Sequence, residues 1–323
     1  MIIPKYLKKD DLIGITAASC GVLDKIEKYE LSISNIIEQG FKVVETNNVR
    51  TRGIVSSSSF IRAQELESLF LNKEVKLVAI ASGGDFLIDI LDKIDFSIVK
   101  ENVKWICGSS DPTSLLFIIT TNYDIATIYS PCNMSGFNVK PLHQSYLNYF
   151  EILKGNLVKQ NKFPYGESKP FNDILDKKNS WININGDVLA TGILIGGCIE
   201  CLKDIIGTKY DKTQEFIENY KKDGIIWYFD IFSMTSEDLY KTLIQFKYAG
   251  WFKYTKAILF GKVCFPSSFL DYRYEDAIKE ALPSMEVIYQ FDVGHVKPSF
   301  TMINGKKVKV VSNKDDNFLE YIN

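Results

Sequence analysis

Short apolar runs alternate with amphipathic segments through the first half of the chain. DLIGITAAS (11–19) is typical of a buried strand. LDKIEKYELSISNIIEQG (23–40) and SFIRAQELESLFLN (59–72) repeat apolar residues at helical spacing, and Gly40 suits the end of the first helix. GDFLIDILDKI (84–94) also predicts a helix. Strands separated regularly by helices predict a parallel sheet that is covered on both faces.

A polar interval interrupts this pattern near the middle of the chain. Residues 156–180 contain two prolines and many charged residues, which predicts a linker or a long excursion. Strand and helix signals then alternate again, and Asn304-Gly305 predicts a hairpin turn near the end. The chain has 323 residues, more than one hydrophobic core usually serves. We therefore predict two α/β domains, residues 1–155 and 181–323.

Composition and charge exclude several classes of function. The formal net charge is −2 and no basic block occurs, so binding of nucleic acid is not supported. No uncharged apolar run reaches the roughly 18 residues that a membrane span requires, and the N-terminus lacks the features of a secretory signal. Cys198 and Cys201 form a lone CxxC without the further ligands that zinc needs, so we interpret the cysteines as structural. We expect a cytoplasmic protein that acts on a small molecule.

The segment CGSSDPTSLL (107–116) carries the first candidate chemistry. It follows an apolar strand and begins a helix, a geometry that can expose a nucleophilic hydroxyl beside free backbone N–H groups. The alternative is that Ser109, Ser110, Asp111 or Thr113 only caps the helix. This segment alone leaves both interpretations open.

A serine nucleophile needs a base, and the chain has two histidines. His143 lies in an amphipathic helix and is interpreted as a surface or packing residue. His295 follows an apolar strand, where sites of α/β folds gather, although a structural role stays open. Asp230 is the acid in the apolar run IIWYFDIF, so it requires a partner or caps the next helix. The glycine pair in ASGGDF (81–86) could supply an oxyanion donor; together these features predict acyl transfer.

Six segments, in this order and spacing, resemble the LD-carboxypeptidase and microcin C immunity family of serine peptidases over nearly the full chain. They are DLIGITAAS, ASGGDFLIDIL, CGSSDPTSLL, ATGILIGGCIECL, GIIWYFDIF and DVGHVKPSFTMINGKKVKV. The resemblance implies Ser110 as nucleophile, His295 as base and Asp230 as the acid that orients it. It also implies that the N–H groups of Gly84 and Asp111 form the oxyanion hole.

The same resemblance implies an architecture and a substrate class. The fold would be α/β, with a flavodoxin-like or Rossmann-like parallel-sheet domain, a smaller C-terminal α/β domain, a site between them and a homodimer without metal or cofactor. The substrate would be a muropeptide that loses a terminal D-amino acid during peptidoglycan recycling. The alternative substrate is an aminoacyl-nucleotide conjugate of the microcin type, and the activity would then confer resistance.

Three departures from the family pattern bear on substrate preference. Asp230 stands where Glu is usual, Ser109 where Tyr is usual, and Cys198 where Asn is usual. A catalytically impaired relative that only binds its ligand therefore remains an alternative. An α/β-hydrolase esterase shares the order Ser, Asp, His, but Pro112 replaces the glycine of its nucleophile turn. A nucleotide-binding Rossmann protein would require a glycine fingerprint that the chain lacks.

Overall fold

The computed structural model describes residues 1–322 and divides the chain into two units. The first unit is Met1–Asn156, and the second starts at Leu157. Each unit has its own sheet and its own buried apolar residues.

Five parallel strands form the sheet of the first unit. They are β1 (Leu12–Thr16), β2 (Lys42–Glu45), β3 (Val75–Ile80), β4 (Trp105–Gly108) and β5 (Thr127–Tyr129). Their spatial order is β2-β1-β3-β4-β5, which reverses direction between β1 and β3. In open parallel sheets, ligands bind at the carboxyl ends of the strands where the order reverses. The turns after β1, β3 and β4 are therefore the region in which to look for a site.

Helices connect these strands, as the apolar spacing predicts. They are α1 (Ile26–Glu38), α2 (Ser59–Leu71), α3 (Phe96–Glu101), α4 (Thr113–Tyr123) and α5 (Gln144–Leu153), with short 3₁₀ turns at Leu23–Lys25, Leu87–Ile90 and Met134–Gly136. Ser58 caps α2 by accepting the N–H of Ile61. Gly40 follows α1 with a φ of 92°, a left-handed conformation that favours glycine.

The second unit contains a mixed eight-stranded sheet. Its strands are β6 (Gln160–Asn161), β9 (Ile182–Asn183), β10 (Val188–Cys198), β11 (Ile225–Asp230), β12 (Thr255–Gly261), β13 (Val287–Phe291), β15 (Lys307–Ser312) and β16 (Asn317–Tyr321). Strands β10 to β13 are parallel neighbours, and antiparallel strands flank them. Further strands are β7 (Tyr165–Glu167), β8 (Leu175–Lys178) and β14 (Met302–Asn304), and the helices are α6 (Ile199–Lys203), α7 (Thr213–Asn219), α8 (Ser236–Tyr248) and α9 (Tyr274–Ala281).

The prediction of a helix over residues 84–94 is wrong, since only the 3₁₀ turn Leu87–Ile90 forms there. Backbone groups at its start bind side chains of other elements. The Phe86 carbonyl accepts a hydrogen bond from the buried Arg62 guanidinium at 2.8 Å, and the Leu87 N–H donates to Asp111 at 3.0 Å. These tertiary contacts replace the bonds that a longer helix would use.

Two expectations for the second unit also differ from the structure. Residues 157–180 belong to this unit and carry β6, β7 and β8, so the second unit is not smaller than the first. Gln160 anchors the segment, because its side chain donates to the Thr301 carbonyl at 2.8 Å. The turn at Asn304-Gly305 precedes β15, but the hairpin is formed by β15 and β16. Asn304 instead accepts hydrogen bonds from Gly196 and Tyr228.

Candidate active site

Ser110 occupies a strained turn between β4 and α4. Its φ is 68°, a left-handed conformation that few residues other than glycine adopt. The Ser110 N–H donates to the Tyr129 hydroxyl at 2.9 Å. Asn133 holds Ser109 from both sides, since its Oδ1 accepts the Ser109 N–H and its Nδ2 donates to the Ser109 carbonyl, each at 2.9 Å. Strand, strained turn and helix in this order are typical of an exposed nucleophile.

Pro112 occupies the N-cap position of α4 and offers no side-chain hydrogen bond there. The Asp111 carboxylate, which is buried, instead accepts hydrogen bonds from the Ser19 hydroxyl at 2.5 Å and the Leu87 N–H at 3.0 Å. Burial raises the pKa of Asp111, and these two hydrogen bonds oppose that rise. Asp111 thus joins the turns that follow β1, β3 and β4.

The glycine pair after β3 lies beside the serine. A Cβ atom on Gly83 would be 3.3 Å from Ser110 Oγ, so this turn approaches the hydroxyl closely. A Cβ atom on Gly84 would be 2.3 Å from Ser19 Oγ, and only glycine fits there. Within residues 1–322, the N–H groups of Gly84 and Asp111 donate no hydrogen bond to the protein. One of these donors follows Ser110 in the chain, and the other follows Gly83, whose Cβ position approaches the Ser110 hydroxyl.

The second unit brings Asp230 and His295 together. Asp230 ends β11 and is fully buried. Its Oδ2 lies 2.8 Å from His295 Nδ1, and its Oδ1 accepts the His295 backbone N–H at 3.1 Å. Because the carboxylate only accepts hydrogen bonds, Nδ1 carries the proton and Nε2 faces away from the acid. Asp230 does not cap α8, since Thr235 does so.

The surroundings of His295 shift its protonation equilibrium. Burial lowers the pKa of His295, but the charge and hydrogen bond of Asp230, with a smaller contribution from Glu200, raise it more, so the net shift is upward. The Phe232 and Phe171 rings lie 4.7 and 6.4 Å from the imidazole. The imidazole therefore has a raised pKa and lies in an aromatic environment.

Gly294 and Glu200 help to position Asp230 and His295, and neither role was predicted from the sequence. A Cβ atom on Gly294 would be 2.0 Å from Asp230 Oδ1, so only glycine lets His295 reach the acid. Glu200 Oε1 accepts the N–H groups of three successive residues after β11, Phe232 to Met234, at 2.9–3.0 Å. The sequence signal for Gly294 was its position directly before His295. Glu200 gave no comparable signal, because its partners are distant in sequence.

A cavity of about 250 Å³ adjoins the histidine segment within the second unit. Val296, Lys262 and Asn179 are among the residues that line it. The Lys262 ammonium lies 2.7 Å from the carboxylate of Asp292, which is fully buried. The charge of this lysine is therefore balanced within the protein.

The sequence predicts no catalytic role for the other histidine and the CxxC cysteines. His143 precedes α5 and accepts the Ser145 N–H at 3.2 Å through Nδ1. Cys198 and Cys201 form no disulfide, and residues 1–322 contain no group of three or more His, Cys, Asp or Glu placed to hold a metal. Among the helices of the described residues, none has both the length and the apolar character to cross a bilayer.

The structure therefore groups the predicted residues in two sets. Ser110, Asp111 and Gly84 lie around the turns of the first unit, and Asp230 and His295 form a pair in the second. The supporting roles of Tyr129 and Asn133 were missed. Their position at and just after β5 was the available signal, since polar groups at the ends of parallel strands meet at one edge.

Comparison with known proteins identifies the family. The LD-carboxypeptidase N-terminal domain model matches residues 13–130, and the LD-carboxypeptidase C-terminal domain model matches residues 191–310. These matches cover more than half of the chain, which therefore belongs to the LD-carboxypeptidase family. It is a serine-type carboxypeptidase, that is, an amide hydrolase.

Individual relatives agree with this assignment. The chain is 25% identical over 210 residues to the "Probable murein peptide carboxypeptidase" of Bacillus subtilis (strain 168), covering 64% of this chain and 60% of that protein. It is 25% identical over 322 residues to the microcin C7 self-immunity protein MccF of Escherichia coli, covering 93% and 90%. A solved structure of MccF in complex with aspartyl sulfamoyl adenosine has a TM-score of 0.85 at 22% identity, covering 100% and 99%. The two-domain α/β fold is thus shared.

Proposed function

We propose that the chain hydrolyses an amide bond through Ser110, His295 and Asp230, and that it removes a terminal D-amino acid from a muropeptide. The observation that carries this proposal is the pairing of a fully buried Asp230 with His295 Nδ1, which leaves Nε2 as the proton acceptor. The left-handed Ser110 turn supplies the matching hydroxyl. The family assignment supports the reaction class.

The reaction follows from these groups. His295 Nε2 takes the Ser110 proton while Oγ forms a bond to the amide carbonyl carbon. Asp230 holds the Nδ1–H tautomer and stabilises the imidazolium that forms. The imidazolium then gives its proton to the leaving nitrogen as the carbon–nitrogen bond breaks. Water attacks the resulting ester with His295 again as base, which releases the acyl product and restores the Ser110 hydroxyl.

The N–H groups of Gly84 and Asp111 are the proposed oxyanion donors. The N–H of Ser110 itself is bound to Tyr129, so it is the neighbouring N–H groups that remain to receive the negative charge. One donor of this kind contributes about 10²–10³-fold to the rate in comparable sites. The turn with Gly83 and Gly84 approaches the hydroxyl closely enough to suit this role.

The proposal is tested by incubating the protein with a muropeptide mixture and reading the products by mass spectrometry. Loss of one D-alanine is expected with the wild type and not with Ser110→Ala. Ser109→Ala serves as the matched control, because it removes the adjacent hydroxyl and should retain activity. Full turnover by Ser110→Ala would show that the proposed nucleophile is wrong.

The second candidate substrate is an aminoacyl-nucleotide conjugate of the microcin C type. It is favoured by the likeness to MccF, whose solved complex contains aspartyl sulfamoyl adenosine. The same mass-spectrometric assay with such a conjugate would then show release of the aminoacyl part. If the protein bound either ligand without cleaving it, this result would favour the alternative that the chain is a catalytically impaired family member that only binds its ligand. The homodimer and the cytoplasmic location remain predictions.

A further inference from the structure

Lys25 is a cation beside the nucleophile turn. It ends the 3₁₀ turn Leu23–Lys25, and its ammonium donates to Ser82 Oγ at 2.7 Å. Ser82 directly precedes Gly83, whose Cβ position would be 3.3 Å from Ser110 Oγ. Since successive Cα atoms are about 3.8 Å apart, the ammonium lies no more than roughly 14 Å from the Ser110 hydroxyl. The Lys25 side chain therefore contacts the turn that carries the proposed oxyanion donor.

Within the part of the chain that the structure describes, no carboxylate is among the charges that act on Lys25, and the adjacent Asp24 pairs with Arg52 instead. Lys25 is an exposed residue by its overall accessibility, and its contact with Ser82 is half-buried. Burial of the ammonium lowers the pKa of Lys25; the Cys20 thiol opposes this shift and the nearby charge of Lys28 adds to it. A partly desolvated ammonium without a counter-ion is suited to receive an anion from a ligand.

Lys262 provides the contrast. It lines the cavity beside the histidine segment, but it is ion-paired with Asp292 at 2.7 Å. Asp292 also accepts hydrogen bonds from Asn179 and Trp181, so the lysine is part of a closed buried network. The charge of Lys262 is thus already balanced by a carboxylate, whereas the Lys25 ammonium binds the neutral Ser82 hydroxyl.

We propose that Lys25 binds the anionic group on the leaving side of the scissile amide, an inference that rests on the function proposed above. In an amino-acid leaving group, the carboxylate lies about 4–5 Å from the scissile carbonyl carbon. The upper limit of roughly 14 Å allows this span and one ion-pair distance. A terminal carboxylate and a phosphoryl group share the required charge and acceptor oxygens, and the experiment separates these two sources.

The first test compares N-acetyl-L-lysyl-D-alanine with its C-terminal amide. Lys25→Met should lower kcat/KM for the acid about 10–100-fold, mainly through KM, because one charge-assisted contact is lost. The same variant should change kcat/KM for the amide by less than about twofold. Lys25→Arg should restore most of the kcat/KM that Lys25→Met loses with the acid. Lys73→Met is the control, since it removes an exposed lysine that does not act on Lys25 and should change the kcat/KM of neither substrate. An equal loss for acid and amide, or no loss, would overturn the inference.

The second test measures binding by calorimetry, which separates failure of this inference from failure of the proposed function. Ser110→Ala and Ser110→Ala/Lys25→Met are titrated with the D-alanine peptide and with adenosine monophosphate. A weaker affinity of the double variant for the peptide supports a carboxylate, and a weaker affinity for the nucleotide supports a phosphoryl group. Unchanged affinity for both contradicts the role of Lys25. These outcomes hold even if the wild type cleaves neither substrate.

Discussion

At the residue scale, a buried carboxylate controls the chemistry of one imidazole. Asp230 is fully buried, and its two oxygens bind the ring and the backbone of His295. Burial alone would lower the pKa of His295, and Asp230 reverses that shift. The base form of the imidazole therefore requires a higher pH than in an ordinary histidine, whose pKa is about 6.5.

Asp230→Asn should change both rate and pH dependence. We expect kcat/KM to fall about 10³–10⁴-fold, because the amide no longer holds the correct tautomer or stabilises the imidazolium. The measurement is the pH profile of kcat/KM. Its acidic limb should move to lower pH, because without the Asp230 charge the burial of His295 remains and lowers the pKa of the imidazole. Asp223→Asn, which breaks the partly exposed pair with Lys307, is the control; an unmoved limb in Asp230→Asn would contradict the account.

Gly294→Ala tests whether the close approach of the His295 segment to the Asp230 carboxylate is needed for activity. The new Cβ would lie 2.0 Å from Asp230 Oδ1, so the His295 segment must move away. A displacement of about 1 Å is expected to lower kcat/KM about 10²-fold. Gly186→Ala is a matched control, because Gly186 also has a positive φ, 110°, but nothing lies within 4 Å of its Cβ position. Equal losses of activity in the two variants would mean that backbone strain, not the collision, is responsible.

At the element scale, the turns after the parallel strands are fixed by side chains that come from other elements. The buried Arg62 of α2 donates to the Ala18 carbonyl after β1 and to the Phe86 carbonyl after β3, each at 2.8 Å. It also binds the Ser57 carbonyl and the Asp89 carboxylate. One guanidinium thus holds the two turns on either side of the point where the strand order reverses.

Arg62→Lys should destabilise the protein although it keeps the charge. An ammonium cannot reach four acceptors arranged for a guanidinium, and buried acceptors would be left without donors. We expect the free energy of unfolding to fall by about 2–5 kcal/mol in urea titrations. Arg52→Lys is the control, with an expected change below about 0.5 kcal/mol, because Arg52 is exposed and pairs with an exposed Asp24. Equal changes in both variants would rule out this role for Arg62.

The elements differ in how far the sequence could predict them. The strands β1, β3 and β4 follow from Val- and Ile-rich runs, and α1 and α2 from helical spacing, since burial alone determines these patterns. Residues 84–94 have the same spacing, but hydrogen bonds to Arg62 and Asp111 decide their structure, and no local pattern shows them. Residues 157–180 carry strands for a similar reason, because β6 is completed by pairing with β16.

At the scale of the whole molecule, the proposed machinery uses both units. Ser110 belongs to the first unit, while His295 and Asp230 belong to the second. Their roles could be predicted only through the order of six short segments that resemble the family, because each segment alone had a structural alternative. The pairing of Asp230 with His295 was among the implied contacts, whereas the roles of Tyr129 and Glu200 depend on tertiary contacts that the sequence does not reveal.

The most direct test of the proposed triad is labelling with a fluorophosphonate, located by peptide mass spectrometry. The account predicts one phosphonyl adduct, on Ser110, that forms at an unchanged rate in Ser109→Ala and at least about 100-fold more slowly in His295→Gln. An adduct on another residue, no adduct, or an equal rate in His295→Gln would contradict it.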